Sequence, residues 1–421
     1  MAADLVVIGL GHVGLPLSRA AVSAGLATVG YDVSGTVVSG LAAGRSHVGG
    51  VLDAEVAIML DAGFHATTDP AVLDGAQTVV ICVPTGLTPE RLPDLSAVED
   101  AARAVAARLR SGMLVVLEST SYPGTTEDVV RPLLEQGSGL RAGEDFHLAY
   151  SPQRIDPGNE TWTIRNTPKV VSGCSALCAK YAVAFYSRFV DRLVVARGTR
   201  EAEMAKLLEN TYRYVNMALV DEVAMFCHET GIDIWDVLHC AASKPFGFAP
   251  FRPGPGVGGH CVPVDPRYLA ARAESQGFAF RTLAAAHEVL GRMPNHVVDR
   301  ALALLTESRI PPEDARVLLL GITYKADVAD VRETPARPVA AGLLAAGAEV
   351  YYHDPYIAEF TVGGRSLPRV ENLQEAMAQA DVAILLQDHA SYAREALGQA
   401  RSRCALLDTR GTAMGSRVTL L

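Results

Sequence analysis

The stretch Asp4-Leu-Val-Val-Ile-Gly9-Leu-Gly11-His-Val-Gly14-Leu-Pro-Leu-Ser-Arg-Ala-Ala-Val-Ser-Ala-Gly25-Leu-Ala-Thr-Val-Gly-Tyr-Asp32 reads as a strand, a turn, a helix and a second strand. An apolar run at 5–8 enters Gly9-x-Gly11-x-x-Gly14, a helical pattern lasts to Gly25, and a second apolar run at 27–31 ends at Asp32. A bare GxGxxG says little. After a strand, at the start of a helix and ahead of an acidic strand end, it reads as the phosphate turn of a dinucleotide-binding unit. Gly9 is expected to make the tight turn, Gly11 to admit a pyrophosphate, and Gly14 to let helix and strand pack, with His12 and Val13 completing the turn. Asp32 would accept hydrogen bonds from the adenosine ribose hydroxyls and repel a 2′-phosphate, so NAD is expected rather than NADP. The bland alternative is a tight βα turn that holds no ligand.

Working outward, further βα units follow. Thr78–Val83 reads as a strand leading to Pro84-Thr85, and Met113–Leu117 as another leading to Glu118-Ser119-Thr120 and Tyr122-Pro-Gly-Thr-Thr126. Both place hydroxyls at the carboxyl ends of strands, where open α/β sheets bind ligands, although helix caps would use the same residues. Leu148–Tyr150 then leads into Ser151-Pro-Gln153-Arg154. From Thr199 to His228 the pattern is continuously helical, roughly 45 Å at helical rise, a length suited to a spine or dimer contact. Lys206 and Asn210 lie one turn apart and share a face. Met204, Leu207, Leu208 and Val215 suggest that much of this helix is buried, yet a lysine snorkelling from a solvated face is the plainer reading of Lys206 alone.

A run of glycines at 254, 256, 258 and 259 precedes Cys261, and Asp265-Pro266 reads as the cap and first position of a helix ending before Gly277. Glycines admit an anionic ligand close to backbone N–H groups, and a cysteine near a helix start can favour its thiolate. A glycine-rich turn with a buried cysteine fits the same residues. His287–Thr306 reads as another helix, and Arg309-Ile-Pro-Pro-Glu-Asp314 as a hinge. Beyond it, Val317–Gly321 is again a strand ending in glycine. Lys325 and Arg332 follow before Thr334-Pro335, the expected start of the next helix. Strands at 349–353, 381–386 and 404–408 complete a second array, the last running into Asp408-Thr-Arg410. The expectation is an α/β chain with two Rossmann-like doubly wound domains, residues 1–198 and 309–421. A central helical domain with one long helix, residues 199–308, joins them.

Composition narrows the partners. With 421 residues the chain can form two or three domains, and its net charge of −10 argues against nucleic acid. Seven scattered cysteines without CxxC pairs suggest reduced thiols and no structural zinc. With no signal-like N-terminus and no apolar run able to span a bilayer, a soluble cytoplasmic protein without membrane or metal is expected.

Taken in order, these segments resemble the nucleotide-sugar 6-dehydrogenases of the UDP-glucose/GDP-mannose dehydrogenase family. The resemblance is carried by Gly9–Pro16, Val83-Pro84-Thr85, Glu118-Ser-Thr with Tyr122–Thr126, Ser151-Pro-x-Arg154, Glu203-x-x-Lys206 with Asn210, Gly254–Pro266 and Gly321–Pro335. Lys244–Phe248, Pro250–Gly256, Ser151–Gly158 and Asn166–Val170 look most like the UDP-N-acetylglucosamine/UDP-N-acetylmannosamine branch. The resemblance implies two successive oxidations of a sugar primary alcohol to a carboxylate by two NAD, through a thiohemiacetal and a thioester on Cys261. It implies that Lys206 stabilises an oxyanion, that Asn210 and Asp265 orient or activate water, and that Thr120 positions substrate or water. Val83, Pro84, Thr85, Ser119, Thr120 and Arg332 would join the glycine turn on the cofactor. Phe251, Arg252, Gly254, Gly258, Gly259, Lys325 and Arg410, with Lys206 and Asn210, would hold the nucleotide sugar. A homodimer through the central helices is also implied.

Three residues depart from the family pattern. Gln153 stands where Ser-Pro-Glu-Arg has its glutamate, and an amide cannot take a proton, so thioester hydrolysis is the step affected. His12 replaces a tyrosine, and Leu290 stands where the Glu-Ile-Asn motif has asparagine. Two other readings compete. A 6-phosphogluconate-type β-hydroxyacid dehydrogenase shares the first domain and Lys-x-x-x-Asn but gives no reason for Cys261. A non-catalytic sugar-nucleotide binder would account for Gln153 but not for Cys261, Lys206 and Asn210 together.

Overall fold

The computed structural model describes residues 3–156, 159, 161–259, 261–392, 397, 404–413 and 418–421. Pro157, Gly158, His260 and the side chain of Cys261 lie outside the described structure. The chain forms two compact units, Met1–Glu209 with Arg267–Ala279, and Asn210–Pro266 with Phe280–Leu421.

The first unit holds an eight-stranded sheet: β1 Leu5–Ile8, β2 Thr28–Tyr31, β3 His65–Thr67, β4 Thr78–Ile81, β5 Leu114–Leu117, β6 His147–Tyr150, β7 Lys169–Gly173 and β8 Leu193–Val195. Their order is β8-β7-β6-β5-β4-β1-β2-β3, and every neighbouring pair is parallel except β6 with β7. β1, β4, β5 and β6 are buried at every position. That is why β1, β4 and β5 are near-continuous apolar runs rather than alternating ones. Strand order reverses at β1, which pairs with both β2 and β4 through Leu5↔Thr28 and Leu5↔Thr78. The loops leaving β1 and β4 therefore flank the switch-point crevice of a doubly wound sheet. Helix α1 (Gly14–Ser23) follows β1, and α2 (Ala176–Tyr186) follows β7.

The second unit holds a parallel sheet of β9 Arg316–Leu320, β10 Glu349–His353, β11 Val382–Leu385, β12 Ala405–Asp408 and β13 Val418–Leu420, in the order β10-β9-β11-β12-β13. Val297, Ala301 and Leu305 pack with Val317, Leu319 and Leu343 in its core. The two sheets repeat one local device. Gly9 after β1 has φ +87, and a Cβ there would lie 2.8 Å from the Cys82 carbonyl oxygen. Gly321 after β9 has φ +73, and its Cβ would lie 2.3 Å from the Gln387 carbonyl oxygen. Asp32 accepts the Leu10 N–H at 2.8 Å, and Asp354 accepts the Ile322 N–H at 2.8 Å. The copies then diverge. Asp354 is fully buried beside His389 Nε2 at 3.1 Å, whereas Asp32 is partly exposed. A sealed carboxylate cannot reach a ribose, so only the first sheet keeps the acid a dinucleotide needs.

Long helix α3 runs from Thr199 to Thr230, α4 from Cys261 to Ser275 and α5 from Arg281 to Glu307. Three expectations change. α5 begins six residues ahead of His287. α4 starts at Cys261, so Pro266 lies inside it and Asp265 is not its cap; Asp265 is buried and engaged by another side chain instead. On α3 the polarity is partly inverted: Leu208 is 56 % exposed while Lys206 is 7 % exposed. Among the described residues no helix is long and apolar enough to cross a membrane, and no group of three or more His, Cys, Asp or Glu could hold a metal ion.

Candidate active site

In the first unit the glycine turn has the geometry its sequence requires. A Cβ on Gly14 would lie 1.8 Å from the Gly9 carbonyl oxygen and 3.0 Å from Val7, so no other residue fits between α1 and β1. A Cβ on Gly11 would meet nothing within 4 Å, which leaves open space at the mouth of the turn. His12 is exposed, and Val13 is the N-cap of α1. Asp32 also accepts the Ser34 N–H at 2.9 Å, so its two oxygens brace the turn and the next loop while keeping lone pairs for hydroxyl donors. After β4, Val83 and Pro84 remain accessible while Thr85 is buried. After β5, the Ser119 hydroxyl donates to the Val83 carbonyl at 2.8 Å and ties the two loops together, beside a half-buried Thr120. These features fit NAD, whose pyrophosphate needs the open glycine and the helix N-terminus.

Glu203 is the residue that sequence reasoning missed here. It reaches from α3 to the loop after Ser119 and accepts the Gly124 N–H at 2.6 Å, the Thr126 N–H at 2.8 Å and the Thr126 hydroxyl at 2.7 Å. Burial pushes its carboxyl up to about 7 against the pull of those donors. Lys206 is one turn further along α3, so this anchor fixes the register of the lysine with respect to the Thr120 loop. The signal was present as Glu203-x-x-Lys206, but its partner lies about eighty residues earlier in sequence.

Gln153 donates its amide to the Ile155 carbonyl at 3.2 Å and lines a cavity with Glu118, Arg154 and Lys169. Beneath it, Lys169 pairs with buried Glu118 at 3.0 Å, and the Tyr186 hydroxyl donates to the same carboxylate. Arg154 is held by the Pro168 carbonyl at 2.7 Å and by Glu209 at 2.6 Å.

In the second unit the Asn210 side-chain amide donates to Asp265 Oδ2 at 2.5 Å. Cys261 occupies the start of the same helix as Asp265, one turn ahead of it. The glycine run is clamped from two directions. Buried Asp221 of α3 accepts the Gly254 N–H at 3.0 Å, and the Gly259 N–H donates to the Arg332 carbonyl at 2.9 Å. A Cβ on Gly258 would lie 2.6 Å from Tyr324 Cβ and 2.8 Å from the Glu333 carbonyl oxygen; one on Gly259 would lie 2.7 Å from the Tyr324 ring. Arg410 Nη1 would be 3.2 Å from a Cβ on Gly254, and its Nε donates to Asp388 at 3.0 Å. The structure thus brings Gly254, Gly258 and Gly259 together with the loop that carries Lys325 and Arg332, and with Arg410. Phe251 packs edge-on to Tyr212 at 5.9 Å, and Arg252 is exposed. The Arg332 guanidinium is forked on Asp330, with its closest contact 2.6 Å.

Three domains of one family match in chain order: an NAD binding domain over residues 3–190, a central domain over 200–290 and a UDP binding domain over 318–414. Fold and site together define an NAD-dependent nucleotide-sugar dehydrogenase. More narrowly, the chain belongs to the UDP-glucose/GDP-mannose dehydrogenase family. It is 32 % identical over 411 residues to a UDP-N-acetyl-D-mannosamine dehydrogenase of Pyrococcus horikoshii, covering 96 % of this chain and 95 % of that one. A solved structure of the UDP-D-ManNAc dehydrogenase of that organism superposes with a TM-score of 0.89, covering 99 % and 98 %. An NDP-N-acetyl-D-galactosaminuronic acid dehydrogenase of Ralstonia solanacearum is 33 % identical over 416 residues, 96 % and 95 % of the two chains. The structure of a UDP-glucose dehydrogenase from Pyrobaculum islandicum, 27 % identical, superposes with a TM-score of 0.87, covering 100 % and 97 %.

Proposed function

We propose that the enzyme oxidises the C6 primary alcohol of a UDP-N-acetylhexosamine, or of a UDP-glucose-type sugar, through the aldehyde to the uronic acid, with Cys261 as covalent nucleophile. NAD, when bound, supplies the hydride acceptor for both oxidations. The balance is one alcohol, two NAD and one water giving one carboxylate, two NADH and three protons. The Cys261 thiolate adds to the aldehyde carbon, the resulting thiohemiacetal is oxidised to a thioester, and water cleaves the thioester to restore the thiolate. Lys206 stabilises the oxyanion, Asn210 and Asp265 orient and deprotonate water, and Thr120 positions the reacting group. The single observation that carries this reading is the Asn210–Asp265 hydrogen bond, one helical turn beyond Cys261.

The N-acetylhexosamine assignment draws on the relatives called UDP-N-acetyl-D-mannosamine dehydrogenases. In this reading residues 1–198 bind NAD, 199–308 carry the catalytic and dimer-forming helices, and 309–421 bind the nucleotide sugar. Gly254, Gly258 and Gly259 take the nucleotide, with Phe251, Arg252, Lys325 and Arg410 around it and Arg332 directed to the cofactor phosphates. A homodimer is supported by Leu208, Tyr212, Leu219 and Phe226, which lie exposed along α3 at spacings of four and seven residues, as one apolar stripe.

The test is NADH stoichiometry with product mass across a panel of sugar nucleotides. Two NADH per sugar acid support the proposal, one points to a β-hydroxyacid-type reaction, and none to a binding protein. Cys261→Ser should abolish uronate formation. An unchanged acid yield from that variant overturns the covalent route.

A further inference from the structure

Two cysteines far from the proposed catalytic thiol in sequence come together in the first unit. Strand β7 ends at Gly173, where a Cβ would lie 2.3 Å from the Ala179 backbone nitrogen, so the chain turns directly into α2. That tight turn places Cys174 just ahead of the N-cap Ser175 and Cys178 in the first turn of the helix. Their Sγ atoms are 3.5 Å apart. The Cys178 N–H donates to the Ser175 hydroxyl at 3.2 Å, which fixes the helix start. His147 of β6 lies behind the pair, its Nδ1 3.9 Å from Cys178 Sγ, and Tyr181 stacks on its ring at 3.7 Å. Cys178 is fully buried, and Cys174 is partly exposed.

We propose that Cys174 and Cys178 form a redox-active dithiol, a site of thiol–disulfide exchange with low-molecular-weight disulfides that does not use Cys261. The arrangement has the parts such a site needs: an accessible thiol, a buried resolving thiol at bonding range after a small closure, and a helix N-terminus with nearby donors to hold negative sulfur. Either thiol can donate across the 3.5 Å contact, and that contact, with smaller help from Ser175 and His147, holds Cys178 below the ordinary thiol range and pushes Cys174 above it. With one of the two sulfurs deprotonated, the remaining thiol proton can pass between them across that contact. When Cys178 takes that proton, the Cys174 thiolate attacks a disulfide RS–SR, forms Cys174–S–SR and releases one thiolate. That thiolate takes the proton back. The Cys178 thiolate then attacks Cys174 Sγ and displaces the second thiolate, which is protonated by solvent. Two protein sulfurs are oxidised to one disulfide, and RS–SR is reduced to two thiols.

The experiment treats the reduced full-length protein with glutathione disulfide, quenches with N-ethylmaleimide and digests with trypsin. Cleavage after Lys169 and Lys180 releases both cysteines in one peptide, Val170–Lys180, and exposed Cys240 reports that the oxidant has acted. The expected product is that peptide lacking two hydrogens and carrying no maleimide. Cys178→Ser should trap glutathione on Cys174, and Cys174→Ser should leave Cys178 unmodified. A peptide carrying two maleimides while Cys240 is glutathionylated overturns the proposal. So does a mixed disulfide on Cys174 that accumulates in the unsubstituted protein without closing.

Discussion

Asn210 donates its side-chain amide to the Asp265 carboxylate at 2.5 Å, joining α3 to the helix that opens with Cys261. Asp265 is fully buried. If this pair handles the hydrolytic water, Asp265→Asn removes the proton acceptor but keeps the volume. Turnover should then fall by roughly 10²- to 10⁴-fold, the usual worth of a general base. The check is kcat together with an unchanged circular dichroism spectrum; retained kcat removes Asp265 from the chemistry.

At Gln153, where the family resemblance implies a glutamate, an amide lines the cavity. Gln153→Glu should restore a proton acceptor and accelerate the thioester step in single-turnover measurements, without altering the first burst of NADH. An unchanged hydrolysis rate would mean that this position does not limit the reaction.

Glu203 takes three donors from the Gly124–Thr126 loop. Glu203→Gln turns an NH2 group towards one of them and leaves a buried donor without an acceptor, at a cost of about 1–3 kcal/mol. Thermal unfolding should shift down accordingly. Turnover should fall as well, because Lys206 shares the helix.

Asp221 gives a pH signature. Burial raises its carboxyl from 3.8 to about 8, opposed by the Gly254 N–H and by the Arg410 charge. The folded chain then keeps a proton that the unfolded chain has already lost. Stability therefore declines as pH rises from about 4 to about 8, with no further loss above that. Asp221→Asn retains an acceptor for Gly254 but cannot ionise, so its Tm should exceed that of the unsubstituted protein at pH 8 and converge with it at pH 4. Parallel Tm curves across that range would contradict the assignment.

Gly258 is pressed against Tyr324 and the Glu333 carbonyl. Gly258→Ala must push that backbone away, costing about 1–3 kcal/mol as overpacking does. If the loop holds the nucleotide, KM for the sugar nucleotide should rise while KM for NAD stays put. Gly11→Ala should do the reverse, since its Cβ meets nothing in the protein.

Much of the framework was legible beforehand. The strands at 5–8 and 349–353 and the start of the long helix at Thr199 fall where their residue patterns place them. Such patterns report local backbone preference and burial on both faces of a sheet. Where side chains a few residues apart compete for one face, reading failed. Leu208 was expected inside and is exposed, while Lys206 is buried, because what packs against α3 is settled by distant segments. The helix start at Cys261 was misplaced for a related reason: Asp-Pro is a sound local cap, but Asp265 is engaged by Asn210.

Sequence alone determined the two βα arrays, the NAD turn and the family, since these depend on short-range glycine, proline and apolar spacing that the backbone must obey. Tertiary structure decided which acids stay open and which are enclosed. It left Asp32 accessible, sealed Asp354 behind His389, and gave Glu203, Asp221 and Asp265 partners thirty to eighty residues away. A carboxylate's role follows from its desolvation and its donors, and both come from chain segments that sequence order keeps apart.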